Sequence, residues 1–351
     1  MAVNFILILV SIFLVLSTVA SLIRWEDWWI RVFDFPRPQL TTLIIITFAL
    51  TYFFCESKLL QGILLILLSA SFIIQGIKIF PYTILAKQEV RKYKGDSNNS
   101  AISILISNVL MHNTKSKNLI KSVNKYQPDI ILTLETNKWW EKELSILENE
   151  YPYTVKIPLE NLYGMHLYSK LKLEDTNVNF LVDDDVPSIE TYVHLNSGAK
   201  IKIYCMHPKP PSPTESESSA SRDAEILYIG RKIKETQEPA LVFGDLNDVA
   251  WSDTTKLFRH ISGTLDPRIG RGFYNTFNAN IPILRWALDH IFHTNDFFLN
   301  KIRRLPHIGS DHFPMYVSLQ YNLDAKFVQE IPMPDQEDQM ISTEKIQNAG
   351  L

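Results

Sequence analysis

Three charge-free apolar stretches open the chain, Met1–Ile23, Pro38–Cys55 and Leu59–Ile77, of 23, 18 and 19 residues. A bilayer core takes about 20 apolar residues per helix. Three such stretches in succession, with almost no polar face, are hard to bury in a soluble core. A cleaved signal peptide would have a basic start and stand alone, and the first stretch does neither. A transmembrane region is therefore expected over residues 1–80, with helices at about 3–23, 39–55 and 59–78. The connector Arg24–Arg37, RWEDWWIRVFDFPR, mixes Trp, Phe and charge. Trp beside an apolar run suits a membrane interface; an interfacial amphipathic segment and a plain loop both fit.

Charge is split along the chain. The first 95 residues carry nine Lys/Arg against five Asp/Glu, and the rest carry 26 against 33. A soluble part with that acidic excess has no generic attraction to nucleic acid. Eight basic residues flank the first connector and the end of the third stretch: Arg24, Arg31, Arg37, Lys78, Lys87, Arg91, Lys92 and Lys94. The other side has only Lys58. That bias puts the N-terminus outside and the soluble part in the cytoplasm. The two cysteines, Cys55 and Cys205, both lie in apolar runs and form neither a disulfide framework nor a thiolate metal site.

Residues 81–100 read as a linker, ending in the polar GDSNNS. Beyond it, short apolar runs alternate with helical patterns. Strands are predicted at Ala101–Ser107, Asp129–Leu134, Gly164–Tyr168, Val178–Val182, Ile189–Leu195, Lys200–Met206, Ala240–Phe243, Arg285–Phe292 and Pro314–Leu319. Helices are predicted at Lys115–Tyr126, Lys138–Leu147, Arg222–Lys234 and Trp251–His260. This order indicates a layered α/β domain over residues 101–322. Residues 323–351 are polar and aperiodic and are expected to be a flexible tail.

Chemistry gathers at strand ends, where α/β domains place their sites. Asn108 follows the first strand, Glu135 ends the second, and His207 follows AKIKIYCM. GDLN brings Asp245 and Asn247 after ALVF. Asp289 sits in the apolar LDHIF, where burial is costly without a partner. GSDHFP supplies Asp311 and His312. Hard oxygen ligands of this kind suit Mg²⁺ or Mn²⁺ rather than zinc.

This ordered set resembles the endonuclease/exonuclease/phosphatase superfamily, from about Ile102 to Leu319. That superfamily includes pancreatic-type deoxyribonucleases, abasic-site endonucleases, inositol-phosphate 5-phosphatases and bacterial sphingomyelinases. Bacterial membrane members with three apolar helices and a segment like RVFDFPR are more similar still. The resemblance implies a four-layer αββα sandwich behind the helical transmembrane region, in an integral protein of a bacterial inner membrane. It implies Glu135 as principal Mg²⁺ (or Mn²⁺) ligand, with Asn108 and Asp311 beside it. It implies Asp245 positioning the attacking water, Asn247 binding phosphate, His312 on the scissile phosphate oriented by Asp289, and His207 as a second charge stabiliser.

Subgroup motifs depart from the known patterns. Asp248-Val249-Ala250-Trp251 follows GDLN where inositol 5-phosphatases have an aromatic and Arg, and Ala287-Leu288-Asp289-His290 replaces their Trp-Cys-Asp-Arg. Ser107-Asn108 lacks the intervening Trp of abasic-site enzymes. Arg268 and Arg271, set among glycines, fit a bidentate phosphate clamp or a solvated turn, and their place between two motifs favours the clamp. Trp251 fits a pocket wall or the core, and Pro208–Ser221 a rim over the site or an inert loop. The expected function is metal-assisted hydrolysis of a phosphodiester or phosphomonoester, in a phospholipid, nucleotide or nucleic acid. The expected partners are that substrate and the lipid bilayer, with no obligate protein partner. A nuclease and an inactive membrane scaffold are the alternatives.

Overall fold

The computed structural model describes residues 2–96 and 98–351; Met1 of the first apolar stretch and Ser97 of the expected linker lie outside the described residues. The chain opens with helix α1 (Ala2–Ala20), the single turn α2 (Trp28–Arg31), α3 (Arg37–Phe54) and α4 (Lys58–Ile79). α1, α3 and α4 pack on one another around Leu14, Leu40, Ile44 and Leu68. Most of their other apolar side chains, such as Phe5, Leu16, Ile45 and Ile66, stay exposed. Val3–Ala20 and Lys58–Tyr82 are long and apolar enough to cross a membrane. α3 is of similar length but carries Gln39 and four threonines.

One end of the bundle is held by a buried charge. Arg37, wholly buried, donates to Asp34 at 2.6 Å, Gln75 at 2.9 Å and Ser21 Oγ at 3.1 Å. An unpaired guanidinium there would be prohibitive, and the partners come from every segment that meets at that end. The connector is thus a short helix followed by a 3₁₀ turn at Val32–Asp34, with Asp34 and Ile30 buried.

The rest follows in order: β1 (Ala101–Asn108), α5 (Ser116–Tyr126), β2 (Ile130–Leu134), α6 (Lys138–Leu144), β3 (Tyr153–Ile157), β4 (Met165–Ser169), β5 (Leu173–Asn179), β6 (Ser188–His194), β7 (Lys200–Met206), α7 (Ala220–Thr236), β8 (Ala240–Asp245), α8 (Asp253–Ser262), β9 (Asp289–His293), β10 (Phe297–Arg304), β11 (Met315–Tyr321) and α9 (Gln336–Asn348). One sheet runs β10-β11-β1-β2-β4-β3 and the other β5-β6-β7-β8-β9. Their facing sides share a core that includes Ile104, Leu132, Ile203, Phe243, Ile291 and Val317. α5 and α6 cover the first sheet, and α7, α8 and α9 the second. This is the expected αββα sandwich.

β1 and β2 are parallel, as are β7 and β8; the other pairs are antiparallel. The C-terminal ends of those four strands therefore meet at one edge, together with the starts of β9 and β11. Gly244 makes β8 fit there: at φ +147° it lies so close to β7 that a Cβ would sit 1.9 Å from the Met206 carbonyl oxygen. The glycine of GDLN is needed for close strand packing, not for a turn.

Three expectations are corrected. Of the expected linker over 81–100, residues 81–96 form a docked strap. Val90 is wholly buried in the sandwich core, and the backbone of Arg91 and Tyr93 bonds Leu299 of β10 at 2.9 Å each. The tail over 323–351 is ordered: α9 starts in an Asp335/Asp338 capping box, buries Ile346 against α7 and α8, and pairs Lys345 with Glu26 and Asp223. A helix polar on most sides escapes a periodicity search and is held by its cap and ion pairs. Finally, β3 and β10 were not expected, and β5 begins five residues before its predicted start at Val178. All three are sheet edges.

Candidate functional site

The catalytic edge assembles in layers. Asn108, His207, Asp245, Asp289 and His312 are buried, and Glu135, Asn247 and Asp311 are half-buried around them. Ladder pairing sets Asp245 opposite Asp289, the last residue of β8 against the first of β9. His312 lies between those two carboxylates, with Nδ1 2.8 Å from Asp289 Oδ2 and Nε2 3.5 Å from Asp245 Oδ2. Ser310 fixes the turn before it: its hydroxyl donates to the Asn108 carbonyl at 2.9 Å and accepts the His312 N–H at 3.0 Å.

Asn108 bridges the two sheets. Its amide nitrogen donates to Glu135 Oε1 at 2.7 Å and to Asp245 Oδ2 at 3.2 Å, while its oxygen accepts from the Leu110 N–H. In this arrangement Asn108 orients the two carboxylates, and its oxygen keeps a second lone pair. Glu135 and Asn247 both sit in left-handed backbone, at φ +59° and +51°. A non-glycine residue there costs about 1–2 kcal/mol, and such strain collects at functional sites. The Asn247 N–H donates to Asp245 Oδ1 at 3.0 Å and its side chain to the Pro208 carbonyl at 2.9 Å, so the loop after His207 is tied to GDLN.

Burial and charge divide the ionisable groups. Burial opposes charge on His312, but Asp289, then Asp245, outweigh it and raise its pKa to about 10. Burial pushes Asp245 up, yet His312 and then His207 hold it below the usual carboxylate range. Asp289 is held above that range by burial, against the pull of His312. Burial drives His207 down to about 4 against the pull of Asp245, 4.0 Å away. The surroundings thus favour the charged form of His312 and the neutral form of His207, which can still stabilise charge through a hydrogen bond. Burial raises Glu135 to about 7, opposed first by Asn108.

Asp245, Asp289 and His312 lie close enough to surround a metal, with one atom from each within 4.8 Å of the others. A protonated His312 has no lone pair to give, however, and its Nδ1 is committed to Asp289. The hard oxygens of Glu135 and Asp311 fit a divalent cation better. Asp311 and Asp245 already raise the Glu135 carboxyl by repulsion, which a cation would reverse.

The structure brings eight of the eleven predicted residues together and leaves three away. Arg268 is wholly buried, forked onto Asp266 at 2.8–3.2 Å, and bonded to the Asp289 carbonyl and His290 Nδ1. It props the start of β9 from behind and is no phosphate clamp. Arg271 is spent on the Pro267 and Val90 carbonyls and Gln88. Trp251 is core: it donates to the Asp34 carbonyl at 2.8 Å and packs edge-on against Tyr82 and Phe273. The Pro208–Ser221 loop is a fixed rim, bonded to the connector through Trp28 N–H to Glu217 O and Ser219 N–H to Glu26 O. Sequence reasoning missed Phe277, whose ring lies 5.0 Å from that of His312, and Tyr163, 5.2 Å from His207. Both come from loops with no local signal.

A family model described as Endonuclease/Exonuclease/phosphatase family matches residues 106–312. Among solved structures, D. rerio TDP2 complexed with a single-strand DNA product is 18% identical, with TM-score 0.54 over 63% of this chain and 99% of that one. The human Nocturnin catalytic domain with bound sulfate is 16% identical, with TM-score 0.53 over 65% and 96%. A Bacteroides thetaiotaomicron protein of the same family is 16% identical, with TM-score 0.52 over 65% and 100%. At these identities the likeness speaks for the fold alone. No curated protein matches the sequence.

Proposed function

The chain belongs to the Endonuclease/Exonuclease/phosphatase family, whose members are metal-dependent phosphoester hydrolases, and from that premise we propose a membrane-anchored phosphoesterase that works by in-line attack of water. The observation that carries this reading is His312, a cation held between Asp289 and Asp245, with Glu135, Asp311 and Asn247 at its side. In-line hydrolysis needs a water placed opposite the leaving group and positive charge on the equatorial oxygens. Asp245, ionised at neutral pH, accepts a hydrogen bond from that water and aims it. His312, kept protonated by Asp289, donates from Nε2 to a phosphate oxygen. Asn247 has a second amide N–H for the same group, and His207 gives a neutral hydrogen bond. Glu135 and Asp311 would hold Mg²⁺ or Mn²⁺, which supplies Lewis-acid charge to a phosphate oxygen.

The bundle is the anchor in this reading, since two of its helices have the length and apolarity to span a bilayer. The basic bias at its domain end favours a cytoplasmic catalytic domain. A nuclease is the second reading; the TDP2 structure with its single-strand DNA product favours it, and the acidic soluble part opposes it. The test uses the full chain in detergent with bis(p-nitrophenyl) phosphate, phospholipid vesicles and plasmid DNA. Turnover that EDTA abolishes, Mg²⁺ or Mn²⁺ restores and His312→Ala lacks supports the proposal. Turnover indifferent to EDTA and to His312→Ala overturns it.

A further inference from the structure

The turn 280–284, Asn-Ile-Pro-Ile-Leu, is exposed throughout, with Ile281 at 42%, Ile283 at 76% and Leu284 at 40%. Nothing in the catalytic scheme uses it, and three large aliphatics side by side in water are a cost without a partner. Its two ends have different attachments. On one side the Ala279 N–H bonds the Asp311 carbonyl at 2.6 Å, and Phe277 pairs with and packs on His312. On the other, Gln39 in the first turn of α3 donates to the Ile283 and Arg285 carbonyls at 3.1 and 3.4 Å, and Phe35 packs edge-on against Trp286 at 5.6 Å. The turn thus bridges the catalytic edge and the helical bundle.

The bundle end it touches is the one where α1 finishes, α3 starts and α4 finishes, joined through Arg37, Ser21 and Gln75. Other exposed apolar residues mark the same level. Ile84 and Leu85, just past α4, are 77% and 80% exposed, and Trp25 and Trp29 of the connector are 60% and 48% exposed. Arg285 and Arg304 flank the turn's base with Phe313 between them, and among the described residues neither makes an ion pair with a carboxylate. Aliphatic tips, tryptophans and unneutralised arginines around one rim match the chemistry of a bilayer interface with anionic headgroups.

We propose that the 280–284 turn inserts into the interface of the membrane that holds α1 and α4, seating the catalytic edge on the lipid surface, and that the substrate is a phospholipid whose phosphate ester rises from that leaflet to His312. This rests on the phosphoesterase reading above and names its substrate class. The occupant is a lipid surface because the turn continues the exposed apolar exterior of the bundle and is hydrogen-bonded to α3.

The test reconstitutes the full chain into vesicles of equal parts phosphatidylethanolamine and phosphatidylglycerol. A nitrobenzoxadiazole label on Ile283→Cys is expected to be quenched by nitroxide-bearing lipid and shielded from aqueous iodide; quenching by iodide alone overturns insertion. The combined Ile281→Ser, Ile283→Ser, Leu284→Ser variant is expected to lose about tenfold or more of its headgroup release from vesicles. Its turnover of bis(p-nitrophenyl) phosphate is expected to stay unchanged, which also shows that it folds. Equal vesicle rates for variant and native chain overturn the proposal. A native chain that hydrolyses the soluble ester but no vesicle phospholipid overturns the substrate class and leaves the phosphoesterase reading standing. A native chain that hydrolyses neither ester overturns that reading itself.

Discussion

Glu89 tests whether the strap after α4 is part of the catalytic domain. It pairs with Arg259 of α8 and accepts the Asp266 N–H at 2.7 Å. Arg259 is buried and, among the described residues, makes no other ion pair. Asp266 in turn holds Arg268, which bonds the carbonyl of Asp289. Glu89→Ala leaves a guanidinium and a backbone N–H without partners in a dry place. The first costs about 3–5 kcal/mol and the second about 1 kcal/mol, so about 5 kcal/mol in all is the middle value. For a domain of this size 1 kcal/mol moves the melting midpoint by about 2–4 °C, which gives a fall of about 10–20 °C. Tryptophan fluorescence of the full chain in detergent, followed on heating, reads it. Glu89→Gln keeps the acceptor and is expected to lie between the variant and the native chain. A fall of under about 3 °C in Glu89→Ala would refute the reasoning and return the strap to a passive linker.

Asp289→Asn removes the group that does most to keep His312 charged against burial; it is expected to lower kcat on bis(p-nitrophenyl) phosphate about 100-fold or more with little change in KM, and an unchanged kcat would dismiss Asp289 as the orienting group. Glu135 titrates at about 7 without a cation, so Mg²⁺ binding is expected to release about one proton at pH near 5.5 and almost none near 8.5. Calorimetry in buffers of different ionisation enthalpy measures this, and release that does not fall with rising pH would remove Glu135 from the ligand set. Glu225 is buried and raised to about 8 by desolvation, so the folded state holds a proton there that the unfolded chain has shed, and stability is lost as pH rises from about 4.5 through 8. Glu225→Gln is expected to be more stable than the native chain near pH 8.5, by ~3–5 kcal/mol, and to show no advantage near pH 4.5; parallel pH profiles in denaturant titrations would contradict this.

What could be read from the sequence follows from burial. Central strands β1, β2, β7 and β8 are buried over most of their length and appear as largely apolar runs, and the polar residues that end them are conspicuous for that reason. Asn108, Glu135, His207 and Asp245 were legible in this way. Edge strands are different: LEDTNVN, YTVKI and FFLNKIRR mix charge with apolar residues because one side of each faces water. The arginines at 268 and 271 misled for a related reason. Arginine among glycines between two motifs looks free to clamp a phosphate, and only the fold brings Asp266 and the Val90 carbonyl to it. Phe277 and Tyr163 reach the site from loops whose position depends on contacts more than 30 residues away, which no local pattern encodes.

The attachment of the bundle bears on the choice between lipid and nucleic acid. An αββα sandwich can be hung from either edge, and here, besides the Lys345–Glu26 and Arg24–Glu337 pairs to α9, a set of links to the helices lies at the catalytic one. Trp251, four residues after Asn247, bonds Asp34. Tyr82 bonds the Ala250 carbonyl, the connector pairs with the loop after His207, and Gln39 holds the turn beside Asp311. Those links fix the angle between site and bundle, and loosening them would disturb the residues that follow the GDLN motif. On the proposed reading, with the bundle embedded in a bilayer, the catalytic edge would face the headgroup layer. A duplex about 20 Å across would have to pass between an acidic domain and an anionic lipid surface, against repulsion from both. A headgroup phosphate rising from the leaflet would meet the site without leaving its membrane. On the proposed membrane reading the geometry of attachment favours a lipid ester over a nucleic acid, and a catalytic domain cut from the bundle would lose both its orientation and part of its own fold.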